Sequence, residues 1–137
     1  YYLNRYFTLF KESSIIKLNH SEIELKEDNI VEVITFDKIN LCVKKCLEIH
    51  DAYDQMLEKD KKYRILYLPG KYVDWEKEAR ECCATEEATK HSLAEAIVVH
   101  SLAQRLLVNF YLKINKPLVP TKLFRNKVSA KKWLMSF

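Results

Sequence analysis

Hydrophobic patterns of strand type and helix type alternate along this chain, and that alternation limits its fold more than any other feature. Residues 22–36 follow a strand pattern that is broken at Asp28 and Asn29. This predicts a β-hairpin, because Asn tolerates the left-handed backbone that a tight turn can require. From Cys42 the apolar residues step by three and four, which predicts a helix that ends near Lys59.

A second strand and helix follow. Residues 63–68 form a β-type run that Pro69 and Gly70 close, since neither continues a ladder or a helix comfortably. Asp74 is then the expected N-cap of a helix that starts at Trp75.

The last third of the chain repeats the alternation twice. Residues 94–99 are a nearly continuous apolar run, which suits a strand covered on both faces. Ser101 is the expected cap of the next helix, and residues 119–124 and 128–135 predict a final strand and a final helix. The apolar stripe of the helix after Ser101 consists of Leu102, Ala103, Leu106, Leu107, Phe110 and Ile114.

Strands that alternate with helices need crossover connections, so they predict a largely parallel sheet to which the hairpin adds an antiparallel neighbour. We therefore expect a single α/β domain over residues 21–137, with a mixed, largely parallel sheet of about five strands packed with about four helices. Residues 1–20 are assigned to an N-terminal aromatic extension.

Glycine is scarce in the chain. Among 137 residues only Gly70 is a glycine, so neither a Rossmann fingerprint nor a Walker A loop can be present, because both need several glycines where backbone approaches phosphate. No apolar stretch approaches the roughly 18 residues of a membrane-spanning helix, and no signal peptide is visible. The four cysteines are expected to be reduced thiols in a cytoplasmic protein.

Several segments of the last third resemble a known family. The segments are AIVV at 96–99, AQRLLVNFY at 103–111, NKP at 115–117 and AKKWL at 130–134. Together with the order of strands and helices, they resemble the STAS domain, and more closely a bacterial STAS-like (SpoIIAA-like) family. The resemblance implies a regulatory module that works by protein interaction.

In the phospho-regulated STAS relatives, a Ser or Thr follows the third strand at the start of the second helix, where a helix N-terminus favours phosphate. The matching residues here, 68–75, contain neither Ser nor Thr. We therefore expect no partner switching by phosphorylation. The same loop is the predicted surface for a partner or ligand, and its candidate residues are Pro69, Gly70, Lys71, Tyr72 and Trp75.

Residues capable of catalysis or metal binding form no recognisable motif. His20, His50, His91 and His100 lack metal-ligand spacing, and Cys42 and Cys46 are expected to be buried small hydrophobic residues although they could share one ligand. The sequence therefore predicts no catalytic residue, no metal and no cofactor. His100, at the end of a predicted strand, is the candidate if the protein is an enzyme.

Two surface features could serve binding. From Lys113 to the end there are seven basic residues and no acidic ones, so the segment from Lys113 to Lys132 could contact an anionic surface or be an ordinary solvated rim. The aromatic segment from Tyr1 to Phe10 could mediate a homodimer.

The leading prediction is a non-enzymatic, cytoplasmic module that binds a protein partner or senses a small ligand. The alternative prediction is a binder of an apolar or anionic lipid-like small ligand. No sequence-specific nucleic-acid binding is predicted.

Overall fold

The computed structural model describes residues 14–137 of the chain. These residues form a mixed α/β domain with a six-stranded sheet in the order β1-β2-β3-β5-β7-β8. Its strands are β1 (Ile15–Lys17), β2 (Ser21–Leu25), β3 (Ile30–Thr35), β5 (Tyr63–Pro69), β7 (Ser92–Val98) and β8 (Thr121–Phe124). β1, β2 and β3 are antiparallel neighbours, and β3, β5, β7 and β8 are parallel.

Four helices connect and cover the strands within the described residues: α1 (Val43–Met56), α2 (Lys77–Cys83), α3 (Leu102–Phe110) and α4 (Lys127–Leu134). A short π-helical turn, Tyr111–Asn115, extends α3. The prediction of a mixed, largely parallel α/β domain with about four helices is thus confirmed, and so is the hairpin, since Asp28 and Asn29 adopt φ angles of 62° and 58° between β2 and β3.

The sheet has a core on each of its two faces. On one face Val31, Val33 and Ile65 pack with Ile49 and Tyr53 of α1. On the opposite face, residues of β5 and β7 pack with α4; these are Leu66, Ala94, Ala96, Val98, Ala130 and Leu134. Both faces are covered, so residues 94–99 are all buried, as predicted, and they are apolar except for Glu95.

The predicted start of the second helix is wrong. Asp74–Trp75 is a short strand, β6, which pairs in parallel with β4 (Asn40–Leu41) in a separate two-stranded sheet. The carboxylate of Asp74 accepts a hydrogen bond from the Trp75 amide at 2.8 Å, but α2 begins at Lys77, after Glu76. A strand of two residues is too short to show an alternating pattern in the sequence. The Asp before a charged run was therefore interpreted as the N-cap of the helix.

The apolar stripe of α3 faces mostly solvent, whereas such a stripe usually faces the core. Ser101 caps the helix as predicted, accepting a hydrogen bond from the Gln104 amide at 3.1 Å. The buried face, however, carries Gln104, Val108 and Tyr111, whereas most of the predicted stripe lies in solvent. Val128, at the start of the last helix, is exposed as well.

Candidate functional site

A cavity of about 90 Å³ lies where the parallel strands β3, β5 and β7 end, under α1 and α3. Thr35 and Pro69, the last residues of β3 and β5, line it, and so does Val99, which follows β7. The carboxyl ends of parallel strands are the edge where open α/β sheets bind ligands. Position alone therefore makes this cavity the first candidate site.

The wall of the cavity is mostly apolar. Aliphatic side chains from strands and helices form most of it; they are Val33, Leu41, Ile49, Leu68, Val73, Ile97, Leu107 and Val108. Three aromatic rings complete it, those of Tyr67, Trp75 and Tyr111, and the last two pack with ring centroids 4.4 Å apart. An apolar wall with a few polar groups is typical of small-molecule sites.

Glu95 is the one carboxylate that residues 14–137 contribute to the wall. It lies in the middle of β7 and is only 5% exposed. Its carboxylate accepts a hydrogen bond from the Ser92 hydroxyl at 2.7 Å. Burial raises the pKa of Glu95 to about 7, against a smaller lowering effect of the Ser92 hydrogen bond. The group can therefore change charge near neutral pH.

Two thiols from different helices meet at the cavity. Cys46 of α1 and Cys83 at the end of α2 both line it, and all four cysteines are free. A hydrogen bond from Cys83 lowers the pKa of Cys46, and the same contact together with burial raises the pKa of Cys83. The indole N–H of Trp75 is buried without a hydrogen bond of good geometry, although the Cys46 thiol, a weak acceptor, is close enough to interact with it.

The other ionisable groups around the cavity are held neutral by burial. Burial lowers the pKa of His50, which lies on α1, and raises the pKa of Tyr67 and Tyr111. Tyr53, behind Tyr67, donates a hydrogen bond to its hydroxyl at 3.2 Å. The described part of the chain contributes no lysine or arginine to the wall of the cavity.

The loop predicted to bind a partner or ligand is divided between the cavity and the surface. Pro69 and Trp75 lie in the cavity wall. Lys71 is exposed and its amide donates to the Asp37 carboxylate at 2.8 Å, whereas Tyr72 is 79% exposed. The predicted residues are therefore brought to one region, but only two of them contact the enclosed space.

Close packing around residue 70 leaves room only for a glycine. A Cβ there would lie 2.8 Å from the Asp37 nitrogen and 2.9 Å from the Thr35 oxygen, distances that side chains do not tolerate. The positive φ in this loop, 60°, belongs to Tyr72, a bulky residue in a conformation that glycine would adopt more easily. Gly70 is thus required because the loop passes close to the end of β3. The strained backbone lies at Tyr72, two residues later.

The remaining histidines have ordinary partners. His20 contacts Ser21 at 2.9 Å and Glu48 at 3.3 Å, and His91 contacts Asp54 at 2.9 Å. Within residues 14–137, no group of histidine, cysteine and carboxylate side chains could hold a metal ion. His100 is exposed in a polar cleft of about 280 Å³ that Ser101, Arg105 and Arg125 also line.

Part of the basic segment has a structural role. Glu32, buried on the face opposite the cavity, forms ion pairs with Lys127 at 2.9 Å and Lys131 at 3.3 Å, both from α4. Burial opposes the ionisation of Glu32, but the hydrogen bonds from these two lysines outweigh it and lower its pKa. Two of the seven basic residues therefore hold α4 on the sheet.

The exposed face of α3 and its π-helical extension is apolar. Leu102, Leu106 and Ile114 are 63%, 61% and 63% exposed, and Phe110, between them, is 49% exposed. Gln104, on the buried side of the same helix, donates a hydrogen bond to the Gly70 carbonyl at 2.8 Å. The buried side of α3 therefore contacts the loop after β5, whereas its apolar stripe faces solvent.

Sequence reasoning missed the central polar residue of the site. Glu95 interrupts the apolar run of β7, and a charged residue inside a strand covered on both faces is itself a signal of a special environment. Cys83 and His50 gave no comparable signal, since only the docking of α1 and α2 brings them to the cavity.

The described residues thus form a mixed α/β domain with a small, mainly apolar cavity at the carboxyl ends of its parallel strands. The chain belongs to a family described as a domain of unknown function (DUF7793), whose model matches residues 23–137. Neither a curated protein nor a solved structure matches the chain. The resemblance to STAS domains, which implies a function, remains a prediction. No helix among residues 14–137 is long and apolar enough to cross a membrane, and the predicted homodimer segment lies outside the described residues.

Proposed function

We propose that this domain is a non-enzymatic binding module that senses a small, largely apolar ligand in the cavity between the sheet and α1 and α3. The observation that carries the proposal is the cavity itself, about 90 Å³ of space at the ligand-binding edge of the sheet. Protein interiors are close-packed, with few voids larger than a water molecule. A cavity of this size costs stability, and ligand binding is a reason to keep it.

The volume restricts the ligand. An engineered cavity of about 150 Å³ is enough for benzene, so a space of about 90 Å³ suits a smaller molecule. A complete lipid chain is too large, which disfavours the lipid-like ligand among the predicted alternatives. A short branched or small cyclic body fits the aliphatic and aromatic wall.

Native mass spectrometry of the protein purified without denaturation tests this proposal. The expected result is a small molecule that co-purifies with the wild type and is reduced in Val99→Ile, whose extra methylene enters the cavity. Val98→Ile is the matched control, because Val98 faces α4 and should leave the ligand in place. If no small molecule co-purifies and no small apolar probe such as xenon binds, the proposal is wrong.

A second function, docking of a protein partner on α3, is favoured by the exposed apolar stripe. Contiguous exposed apolar residues on a small domain mark interaction sites, and a helix with anchors four residues apart is a common docking element. Leu102, Leu106 and Phe110 would supply the anchors.

Pull-down with Leu106→Glu tests the docking surface. We expect this variant to lose the captured partner. Its melting temperature should stay near that of the wild type, because Leu106 is mostly exposed and contributes little to the hydrophobic core. The double variant Lys71→Ala and Tyr72→Ala should weaken capture as well. Unchanged capture by Leu106→Glu would remove α3 from the interface.

A further inference from the structure

Within residues 14–137, Glu95 is an acidic group without a basic partner. Its carboxylate is buried, and the hydrogen bond from Ser92 is its only side-chain hydrogen bond among residues 14–137. None of the ion pairs in this part of the chain involves it. A buried carboxylate is stable in its charged form only when a cation or several donors accompany it.

The rest of the cavity wall suits a cation. The rings of Tyr67, Trp75 and Tyr111 line the same space as Glu95. Aromatic faces attract ammonium groups through their quadrupole, and cages of such rings recognise methylated ammonium ions. A carboxylate and aromatic rings in one small cavity together favour a positively charged guest over a neutral or an anionic one.

We propose that the ligand is a small organic amine, bound as its ammonium ion, whose charge pairs with Glu95 and whose alkyl groups fill the apolar wall. This inference rests on the proposed function, since it assigns the chemistry of the ligand that the cavity holds. The volume of about 90 Å³ limits the ligand to an amine with few carbon atoms. His50 is a basic side chain in the wall of the cavity, but burial lowers its pKa and keeps it neutral. It therefore does not supply the positive charge that would pair with Glu95.

A pair of probes of the same shape separates charge from size. Isopropylammonium and 2-propanol differ in one polar group, and calorimetric or NMR titration gives the dissociation constant of each. At pH 8 we expect the ammonium ion to bind at least tenfold more tightly than the alcohol. Glu95→Gln should remove that preference and leave the alcohol unchanged, whereas Glu78→Gln, a surface carboxylate of α2, should change neither.

A second measurement uses only the wild-type protein and so does not depend on the folding of a variant. Because Glu95 has a pKa of about 7 in the free protein, its charged fraction rises about tenfold between pH 6 and pH 8. The affinity for isopropylammonium, which stays protonated in this range, should rise by about the same factor. The affinity for 2-propanol should stay constant.

Other ionisable groups face the same cavity and must be separated from Glu95. They are Cys46 and His50 of α1, Cys83 of α2, Tyr67 of β5 and Tyr111 of the π-helical turn. Cys46 is the acid among them whose pKa is lowered, so Cys46→Ala is measured in parallel and should keep the pH dependence of amine binding.

The outcomes distinguish the two proposals. Equal affinity for the two probes, or an amine affinity that does not depend on pH, overturns the amine assignment and leaves the cavity as a site for a neutral ligand. If neither probe nor xenon enters the cavity, both the amine assignment and the proposed function are wrong.

Discussion

Adding one methylene at Val99 should not destabilise the protein, whereas adding one at Val98 should. The two residues are neighbours in sequence but face opposite sides of the sheet. Val99 lines the cavity, and Val98 packs with Ala130 and Leu134 of α4. Val→Ile is the same chemical change at both sites, so any difference between the variants reports on the space around each side chain.

The expected magnitudes follow from the two environments. At about 24 cal/mol per Å³, a cavity of about 90 Å³ costs roughly 2 kcal/mol of stability. Filling part of it with one buried methylene recovers up to about 0.8 kcal/mol. On the packed face the extra methylene forces neighbours apart and costs about 1–3 kcal/mol. The two variants should therefore differ by roughly 2 kcal/mol in the free energy of unfolding.

Urea denaturation of both variants and the wild type measures these differences, with equal m-values as the check that the unfolded states are comparable. The melting temperatures should follow the same order. The comparison uses ligand-free protein, because a bound ligand would itself stabilise the wild type. If ligand-free Val99→Ile is destabilised as much as Val98→Ile, side chains already fill the space beside Val99, and the cavity could not serve as a ligand site.

Three further predictions concern buried charge and close packing. The folded pKa of Glu95, about 7, exceeds its usual value, so its contribution to stability is complete below about pH 4. This contribution declines by about 3 kcal/mol as the pH rises through 7. Glu95→Gln should flatten this dependence in denaturation measured from pH 5 to pH 8. For Glu32 the sign is opposite, since its folded pKa is lowered: stability is present above its unfolded pKa and is lost as the pH falls through the folded pKa. Glu32→Gln should cost about 1–2 kcal/mol at pH 7, because the two lysines it pairs with are partly exposed and water screens them; an unaltered unfolding free energy would contradict the ion-pair account. Gly70→Ala should cost roughly 2 kcal/mol in the same assay, because its Cβ would overlap the backbone of Thr35 and Asp37, and a neutral effect would show that the loop moves freely.

The elements that sequence reasoning located correctly are those whose signal is periodic or local. The hairpin between β2 and β3 carries a two-residue period and a turn residue that accepts positive φ. Ser101 could be identified as a cap because a hydroxyl before an apolar run satisfies an amide of the first turn. The strand β7 was recognised because a run buried on both faces contains almost nothing polar.

The elements that were missed or misread depend on distant partners. β4 and β6 are two residues long each, and they exist because Asn40 pairs with Asp74 across an intervening helix and strand. The stripe of α3 could be read from the sequence, but which of its faces meets the sheet depends on how the connection from β7 places the helix. Glu95 was overlooked because its neighbours made the strand look uniformly apolar.

The sequence by itself determined the class of this protein. Switches between the strand period and the helix period require crossover connections, and these require a largely parallel sheet covered on both faces. Only the tertiary structure decided where a ligand could bind. The cavity arises where three strands end and helices from separate parts of the chain converge, so that Cys46, Cys83 and Glu95 share one space. Such long-range convergence leaves no period in the sequence, whereas the local interactions that define each strand and helix do.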